Sequence, residues 1–233
     1  MTEHLERIKS KIEKLKTLDR SFILFGSHKH KYQLNPTLSV DQIRQFELIH
    51  HVTLPNDYAD FLTTLGNGGV GPFYGLEPLE NALYADLDYK PTDYLLDPSK
   101  PFPHILGWNS EFESTVEEED DEEEYSNQLT EFEELYFDNQ HKTGSIAICN
   151  CGCAISIILV VNGHEYGNVW TDDRASYTGI YPSRELGNKD KIAFLNWYEL
   201  WLDNSLNEIK YKQLSTDKQS EVELLNKPWW KLW

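Results

Sequence analysis

Residues 145–172 read SIAICNCGCAISIILVVNGHEYGNVWTD, and this stretch decides the fold class. It combines runs of β-branched residues with two turn signals, Gly152 and the Asn-Gly pair at 162–163. Glycine readily adopts the left-handed backbone of short turns, and Asn-Gly is a strong hairpin signal. We therefore predict three consecutive strands, Ser145–Cys149, Cys153–Val161 and Tyr166–Thr171, joined as hairpins.

All three cysteines of the chain, Cys149, Cys151 and Cys153, lie around the first of these turns. Metal binding, redox chemistry and simple packing are the alternatives. Structural zinc sites usually draw four ligands from two separate segments, and redox centres usually place CxxC at a helix N-terminus. Neither pattern is present, so we predict that no metal binds and that the cysteines pack as small apolar residues. Cys149 and Cys153 are expected to face each other, with Cys151 at the tip of the turn.

The N-terminal part of the chain predicts three helices, each with an apolar face. Ser39 and Gln42 have the spacing of a capping box at the start of the second helix. The third helix begins after Pro55, and Gly66 stands at its expected C-cap. The apolar positions are Leu5, Ile8, Ile12 and Leu15 in the first helix and Tyr58, Phe61, Leu62 and Leu65 in the third.

A fourth helix is predicted after Pro182, in KIAFLNWYELWLDNSL at 191–206. Trp197 and Trp201 form a stripe on it, which is more typical of a core than of a ligand site. The last residues, NKPWWKLW, carry three tryptophans. Packing against the domain is the favoured interpretation of this tail at 227–233, and exposure is the alternative.

Charge is the strongest signal in the composition, because the formal net charge is −18. Thirteen of the 39 acidic residues lie between Glu111 and Glu134, where there is no lysine or arginine. So acidic a chain is repelled by phosphate backbones and by anionic lipid surfaces, so binding to nucleic acid or to a membrane is not expected. We predict that the region of about 111–134 is a flexible, solvated insert. Its eight consecutive acids are Glu117, Glu118, Glu119, Asp120, Asp121, Glu122, Glu123 and Glu124.

Motifs of catalysis and of cofactor binding are missing from the sequence. GxSxG, GxxxxGK[ST], HExxH and GxGxxG after a strand are all absent, and the histidines are scattered, so neither an enzyme nor a cofactor is predicted. The glycine-rich loop at 66–72, GNGGVGP, follows a helix and no lysine comes after it, so its glycines are expected to serve the backbone. Asp172 and Asp173 could bind a cation, but a turn cap is the commoner role for such a pair. Nothing resembles a secretory signal or a membrane span, and the cytoplasm is the expected location.

Two segments together resemble the SUKH superfamily in its Smi/Knr-like branch. They are residues 34–79, with LPxDY and GNGGxGPxYGL, and residues 152–182, with LVVNG, GxVW and DDR. The order of these motifs also matches the family, and the helix FLNWYELWL continues the second segment. The motif residues, to which the resemblance gives a structural role, are Leu54, Pro55, Asp57, Tyr58, Gly66, Asn67, Gly68, Gly69, Gly71, Pro72, Tyr74, Gly75, Asn162, Gly163, Gly167, Trp170, Asp172, Asp173 and Arg174.

The resemblance implies an α+β fold, a single domain with a mixed, mostly antiparallel sheet and helices packed around it, and no catalysis. Bacterial relatives are typically immunity proteins that bind and neutralise a cognate toxin, often a nuclease or deaminase. A regulatory interaction scaffold of the same fold is the alternative. The predicted single domain spans residues 1–233. The family does not explain three parts of it, which are the helical extension at 1–20, the acidic insert and the tryptophan-rich tail.

A nuclease carries a basic groove, and an acidic surface complements such a groove. We therefore expect a partner toxin with a basic surface, and we assign the run from Glu117 to Glu124 as its hypothetical binding site.

Overall fold

A computed structural model of the chain describes residues 2–92 and 95–225, with side chains up to residue 214. The helices are α1 (Glu3–Leu18), α2 (Ser27–His30), α3 (Val40–His50), α4 (Asn56–Thr64), α5 (Glu122–Tyr136) and α6 (Phe194–Leu225). The strands are β1 (Ser145–Gly152), β2 (Ile155–Val160), β3 (Val169–Asp173) and β4 (Gly179–Pro182). Short 3₁₀ turns span Leu79–Asn81, Asn139–Lys142 and Arg174–Ser176.

The strands form one antiparallel sheet in the order β1-β2-β3-β4. The α+β prediction and its antiparallel hairpins are therefore confirmed, while β4 was not predicted. The Asn-Gly pair lies in the longer connection between β2 and β3. Each strand pairs antiparallel with the next one in the chain, so a turn or a loop can join them without a crossover helix. This agrees with the turn signals in the sequence.

The predicted geometry of the first turn is wrong. β1 continues to Gly152, and the chain reverses at Cys153 and Ala154, whose φ angles are +54° and +60°. Two consecutive positive φ values give a turn whose twist matches the strands on either side. Register shifts in β1 place Cys149 opposite Ile157, so Cys149 and Cys153 do not face each other.

One face of the sheet contributes to a buried core that also contains α1, α4 and α6, with α1 and α4 packed on α6. The predicted apolar positions of α1 and of α4 are buried in this core, as are Trp197 and Trp201 of α6. The helix predictions are confirmed there, and so is the capping box, since Ser39 and Gln42 exchange both hydrogen bonds. The ion pairs of Glu199 with Arg7 and Lys11 also tie α1 to α6.

The opposite face is covered by the long connection between Tyr84 and Trp108. Leu87, Leu96 and Phe102 from this connection are buried against Trp170 and Ile180 of the sheet. The prolines in this connection disfavour helices, and these apolar side chains fix it to the sheet. The predicted packing of the tail at 227–233 lies outside the described residues.

The insert predicted as flexible and solvated at about 111–134 contains most of a helix, α5, which begins at Glu122. Asp121 caps α5 through a bond from the Glu124 backbone N–H to its carboxylate, and Glu122, Glu123 and Glu124 form the first turn. Carboxylates are favourable at a helix N-terminus, because the free N–H groups and the dipole there attract negative charge. The repulsion between these acids is therefore partly offset by the helix itself.

Candidate functional site

The candidate site is an acidic surface formed by residues 117–124 and the rest of α5. All eight acids of the run are exposed. The backbone turns at Glu117, whose carbonyl accepts bonds from the N–H groups of Asp120 and Asp121, and the chain then enters α5. The side chain of Gln128 secures this entry, because it bonds both the backbone and the side chain of Thr115. These bonds give the run a defined shape and tie the first turns of α5 to the segment that precedes it.

An aromatic cluster attaches α5 to the body of the protein. Phe132 stacks on Tyr136, which stacks in turn on Trp108 and Tyr177, with ring centroids 5.2, 5.4 and 5.7 Å apart. Tyr136 is only 2% exposed. Aromatic contacts of this kind add to the burial of apolar area. The acidic face of α5 therefore points outward while its aromatic face is fixed.

Arg174 fixes the C-terminal end of α5. Its Nη1 donates to the carbonyl oxygens of Tyr136 and Asp138, at 2.8 and 3.0 Å. Its Nε and Nη2 bond the two carboxylate oxygens of Asp172, at 2.8 and 3.0 Å. Carbonyl groups at the end of a helix lack partners within the helix, so this guanidinium satisfies them.

Lys142 completes a buried charge cluster with Asp172 and Arg174. Its ammonium lies 2.8 Å from Asp172 Oδ2 and also donates to the Ala85 carbonyl. Burial by itself would raise the pKa of Asp172, but the Lys142 ammonium and the Arg174 guanidinium hold that pKa well below its usual range. Asp172 also accepts a bond from the Arg174 backbone N–H at 3.4 Å, so it combines the turn cap expected from the sequence with a buried ion pair.

Two histidines reinforce the attachment of α5. The His141 ring stacks on Trp108 with centroids 3.9 Å apart, and His104 stacks on His141 at 5.8 Å. His104 Nε2 contacts the His141 carbonyl, and His141 Nε2 contacts the Leu135 carbonyl of α5. Burial, together with the nearby His141, lowers the pKa of His104 to about 4, and burial also lowers the pKa of His141. Both rings are therefore neutral at pH 7.

We expect the free energy of unfolding to fall as the pH falls from about 6.5 toward 4. In this range the unfolded chain protonates His104 but the folded chain does not, so acid favours unfolding. Buried His30, whose pKa burial also lowers to about 4, adds to the same slope. Urea unfolding at pH 7 and pH 5 measures this loss of unfolding free energy. In His104→Gln the difference between the two pH values should be smaller than in the wild type by on the order of 1 kcal/mol. His164→Gln, at an exposed position, is the control, and equal slopes for wild type and His104→Gln would contradict the assignment.

The family-motif residues lie mostly away from the acidic surface. Asp57 accepts a bond from the Leu195 backbone, and the Asn67 side chain bonds Glu80 and the Leu79 backbone. Gly69 has φ +100°, and Pro72 accepts a bond from Cys149 Sγ. Leu54, Tyr58 and Trp170 are buried, and Pro55 precedes α4. Gly66, Gly68 and Gly71 lie in the glycine-rich loop, and Tyr74 and Gly75 follow it. Asn162, Gly163 and Gly167 lie between β2 and β3, and Asp173 accepts a bond from Tyr181. Within this set, Arg174 and Asp172 bond directly in the cluster that attaches α5.

The cysteines differ in their exposure: Cys149 is buried, Cys151 is partly buried and Cys153 is exposed. Burial raises the pKa of the Cys149 and Cys151 thiols. Within the described residues, no group of three or more His, Cys, Asp or Glu side chains is placed to hold a metal ion.

We expect a thiol reagent to modify Cys153 fast in the native protein and Cys149 only on unfolding, because the reagent needs an accessible thiolate. The Cys153→Ser variant should lose the fast phase.

Metal analysis of protein purified without chelator should find no stoichiometric zinc. Zinc retained through dialysis, or fast labelling of Cys149, would show that the turn has a different role.

These features define the class of the protein: an α+β fold in which an acidic helix is fixed to one end of an antiparallel sheet. The family model described as SMI1 / KNR4 family (SUKH-1) matches residues 37–185, which are 149 of the 233 residues. The chain belongs to this family, as its motifs predicted. Helices α1, α2 and α6 lie outside the matched residues.

Other comparisons add little to this assignment. Neither curated proteins nor solved structures gave a significant match to the chain. Among the described residues, no helix combines the length and the apolar character that a membrane span requires.

Proposed function

We propose that this protein is an immunity protein that binds a cognate toxin domain stoichiometrically and neutralises it. The acidic surface of residues 117–124 and α5 is the proposed contact with the toxin. Membership of the SUKH-1 family is consistent with this role. The observation that carries the proposal is the placement of these acids, which are exposed and lie on a segment fixed to the domain.

Charge explains why such a surface suits a toxin that acts on nucleic acid. The groove of such a toxin is basic, since it must hold phosphates. An acidic surface is attracted to this groove, which speeds association and disfavours partners without a basic face. The proposed partner is therefore a toxin with a basic surface, and the proposed mechanism is obstruction of that surface without any catalysis by the immunity protein.

The fixed shape of the surface should also favour binding. A disordered acidic segment would lose conformational entropy when it docked. Here α5 is already ordered by Tyr136, Arg174 and the stacked histidines. The loss on binding is correspondingly smaller, and the carboxylates keep a defined spacing.

Replacing the eight acids of the run by Ser and Gln is expected to slow association with the toxin by about tenfold or more at low salt. Added salt should slow the wild type toward the rate of this variant, because it screens the same attraction. The melting temperature should change little, since these side chains are exposed and repel one another. Stopped-flow association rates and thermal melts provide the two measurements.

A control variant with the same change in charge separates the local surface from the total charge. It replaces eight exposed acids on other parts of the protein, namely Glu3, Glu6, Glu13, Asp41, Asp60, Glu185, Asp190 and Glu208. We expect a much smaller effect on the association rate from this control. Equal rates for wild type and the first variant would show that the toxin binds elsewhere.

A further inference from the structure

A cavity of about 290 Å³ lies beside the end of α5. Its lining includes the buried cluster of Lys142, Asp172 and Arg174, together with Pro91 and Phe137. The volume is near the lower limit for ligand sites, so it suits a small molecule or a single side chain. It is distinct from the acidic surface, although both lie near α5.

The buried cluster contains two cations and only one carboxylate. The side chains of Lys142 and Arg174 are 4% and 5% exposed, and Asp172 neutralises only one of their charges. This leaves an excess positive charge within the buried cluster itself, in a protein whose net charge is −18. The partly buried Asp86 is the second carboxylate that lines the cavity, outside this cluster. Buried charges that are not paired are strongly unfavourable, so an anion in the cavity would be stabilised.

Hydrogen bonding leads to the same conclusion. The guanidinium of Arg174 has five N–H groups, and four of them bond Asp172, Tyr136 and Asp138 within the described part of the chain. Lys142 has three N–H groups, of which two are used, by Asp172 and Ala85. One donor of each side chain remains, and both residues line the cavity.

We propose that this cavity binds a carboxylate group, which accepts hydrogen bonds from Lys142 and Arg174. Asp86 also lines the cavity and repels anions, so a single negative charge is preferred over a dianion. The carboxylate belongs either to a small free molecule or to an acidic side chain of a protein partner. The apolar walls, which include Pro91 and Phe137, contact the rest of the ligand.

NMR titration of the full chain with acetate tests the proposal, with acetamide as the uncharged probe of the same shape. We expect saturable shifts around the cavity with acetate and none with acetamide at matched ionic strength. A second titration uses N-acetylglutamate methylamide, which imitates a glutamate side chain of a partner. Tighter binding of this probe than of acetate indicates a protein source, and tighter or equal binding of acetate indicates a small molecule.

Three variants test the cavity without changing Lys142, Asp172 or Arg174. Ala175→Trp, at an exposed lining residue, should weaken acetate binding at least tenfold, whereas Ser176→Trp, at the next exposed residue, should not. Asp86→Asn should strengthen binding, since the amide keeps an acceptor for the Asp88 and Tyr89 backbone while losing the charge. Equal shifts with acetate and acetamide, absence of binding by both carboxylate probes, or no effect of Ala175→Trp in a folded variant would overturn the proposal.

Discussion

Replacing Arg174 by methionine is expected to lower the free energy of unfolding by about 3–5 kcal/mol, the range found when one partner of a buried ion pair is removed. The change leaves Asp172 with Lys142 alone and takes the donor away from the carbonyls of Tyr136 and Asp138. Methionine matches the stem of arginine only as far as Nε, so it keeps the packing of the stem while the charge and the hydrogen bonds of the guanidinium are lost. Urea unfolding followed by circular dichroism measures the effect.

The same variant should loosen α5 more than the sheet. Hydrogen exchange of α5 amides should accelerate more than exchange of β2 amides, because Arg174 holds the end of that helix. The control is Arg44→Met, since Arg44 is exposed and should change stability by less than about 0.5 kcal/mol. Equal stability losses in the two variants would mean that the buried cluster does not anchor the helix.

Replacing Gly69 by alanine is expected to lower the free energy of unfolding by about 2–4 kcal/mol, combining backbone strain with a steric clash. Gly69 has φ +100°, and a Cβ there would lie 2.4 Å from the carbonyl oxygen of Gln33. That oxygen cannot move easily, because it accepts the bond from the Val70 N–H. This geometry supports the expectation that the glycines of this loop serve the backbone.

Gly187 provides a matched control for this substitution. Its φ is +88°, but a Cβ there meets nothing within 4 Å. Gly187→Ala should therefore show the conformational penalty alone, about 1–2 kcal/mol. If Gly69→Ala and Gly187→Ala lowered the free energy of unfolding by the same amount, the close approach of Gln33 to Gly69 would not contribute to the effect.

The sequence predicted elements whose signals are local. The spacing of Leu5, Ile8, Ile12 and Leu15 identified α1, because every residue needed for the inference lies within that helix. The Asn-Gly pair similarly placed a connection between two strands. The turn at Cys153 and Ala154 was missed because neither residue is one that usually takes a positive φ, so sequence pointed to Gly152 instead.

The helix α5 had a local signal that the charge argument obscured. Asp121 and Glu124 have the spacing of an N-cap and N3, and Tyr125, Phe132 and Tyr136 follow at helical spacing. The contribution of the helix N-terminus and the aromatic face outweighs the repulsion between the acids.

The cluster that anchors α5 could not be predicted in the same way. Lys142, Asp172 and Arg174 are brought together by the folded sheet, and nothing near Lys142 in the sequence indicates a carboxylate 30 residues away. The stacking of His104 on His141 depends equally on the tertiary fold. Only the DDR motif pointed to this region, and it gave Arg174 a structural role without naming its partners.

The most direct test of the central claim is the activity of the cognate toxin domain titrated with this protein. The toxin is sought among genes adjacent to the gene of this chain, and its catalytic activity is measured as a function of the molar ratio. We predict that one equivalent of this protein inhibits the toxin completely. At physiological salt, the variant in which the acids from Glu117 to Glu124 are replaced should inhibit the toxin less strongly than the wild type. A toxin that is bound but remains fully active at excess protein would contradict the immunity function and favour a scaffold instead.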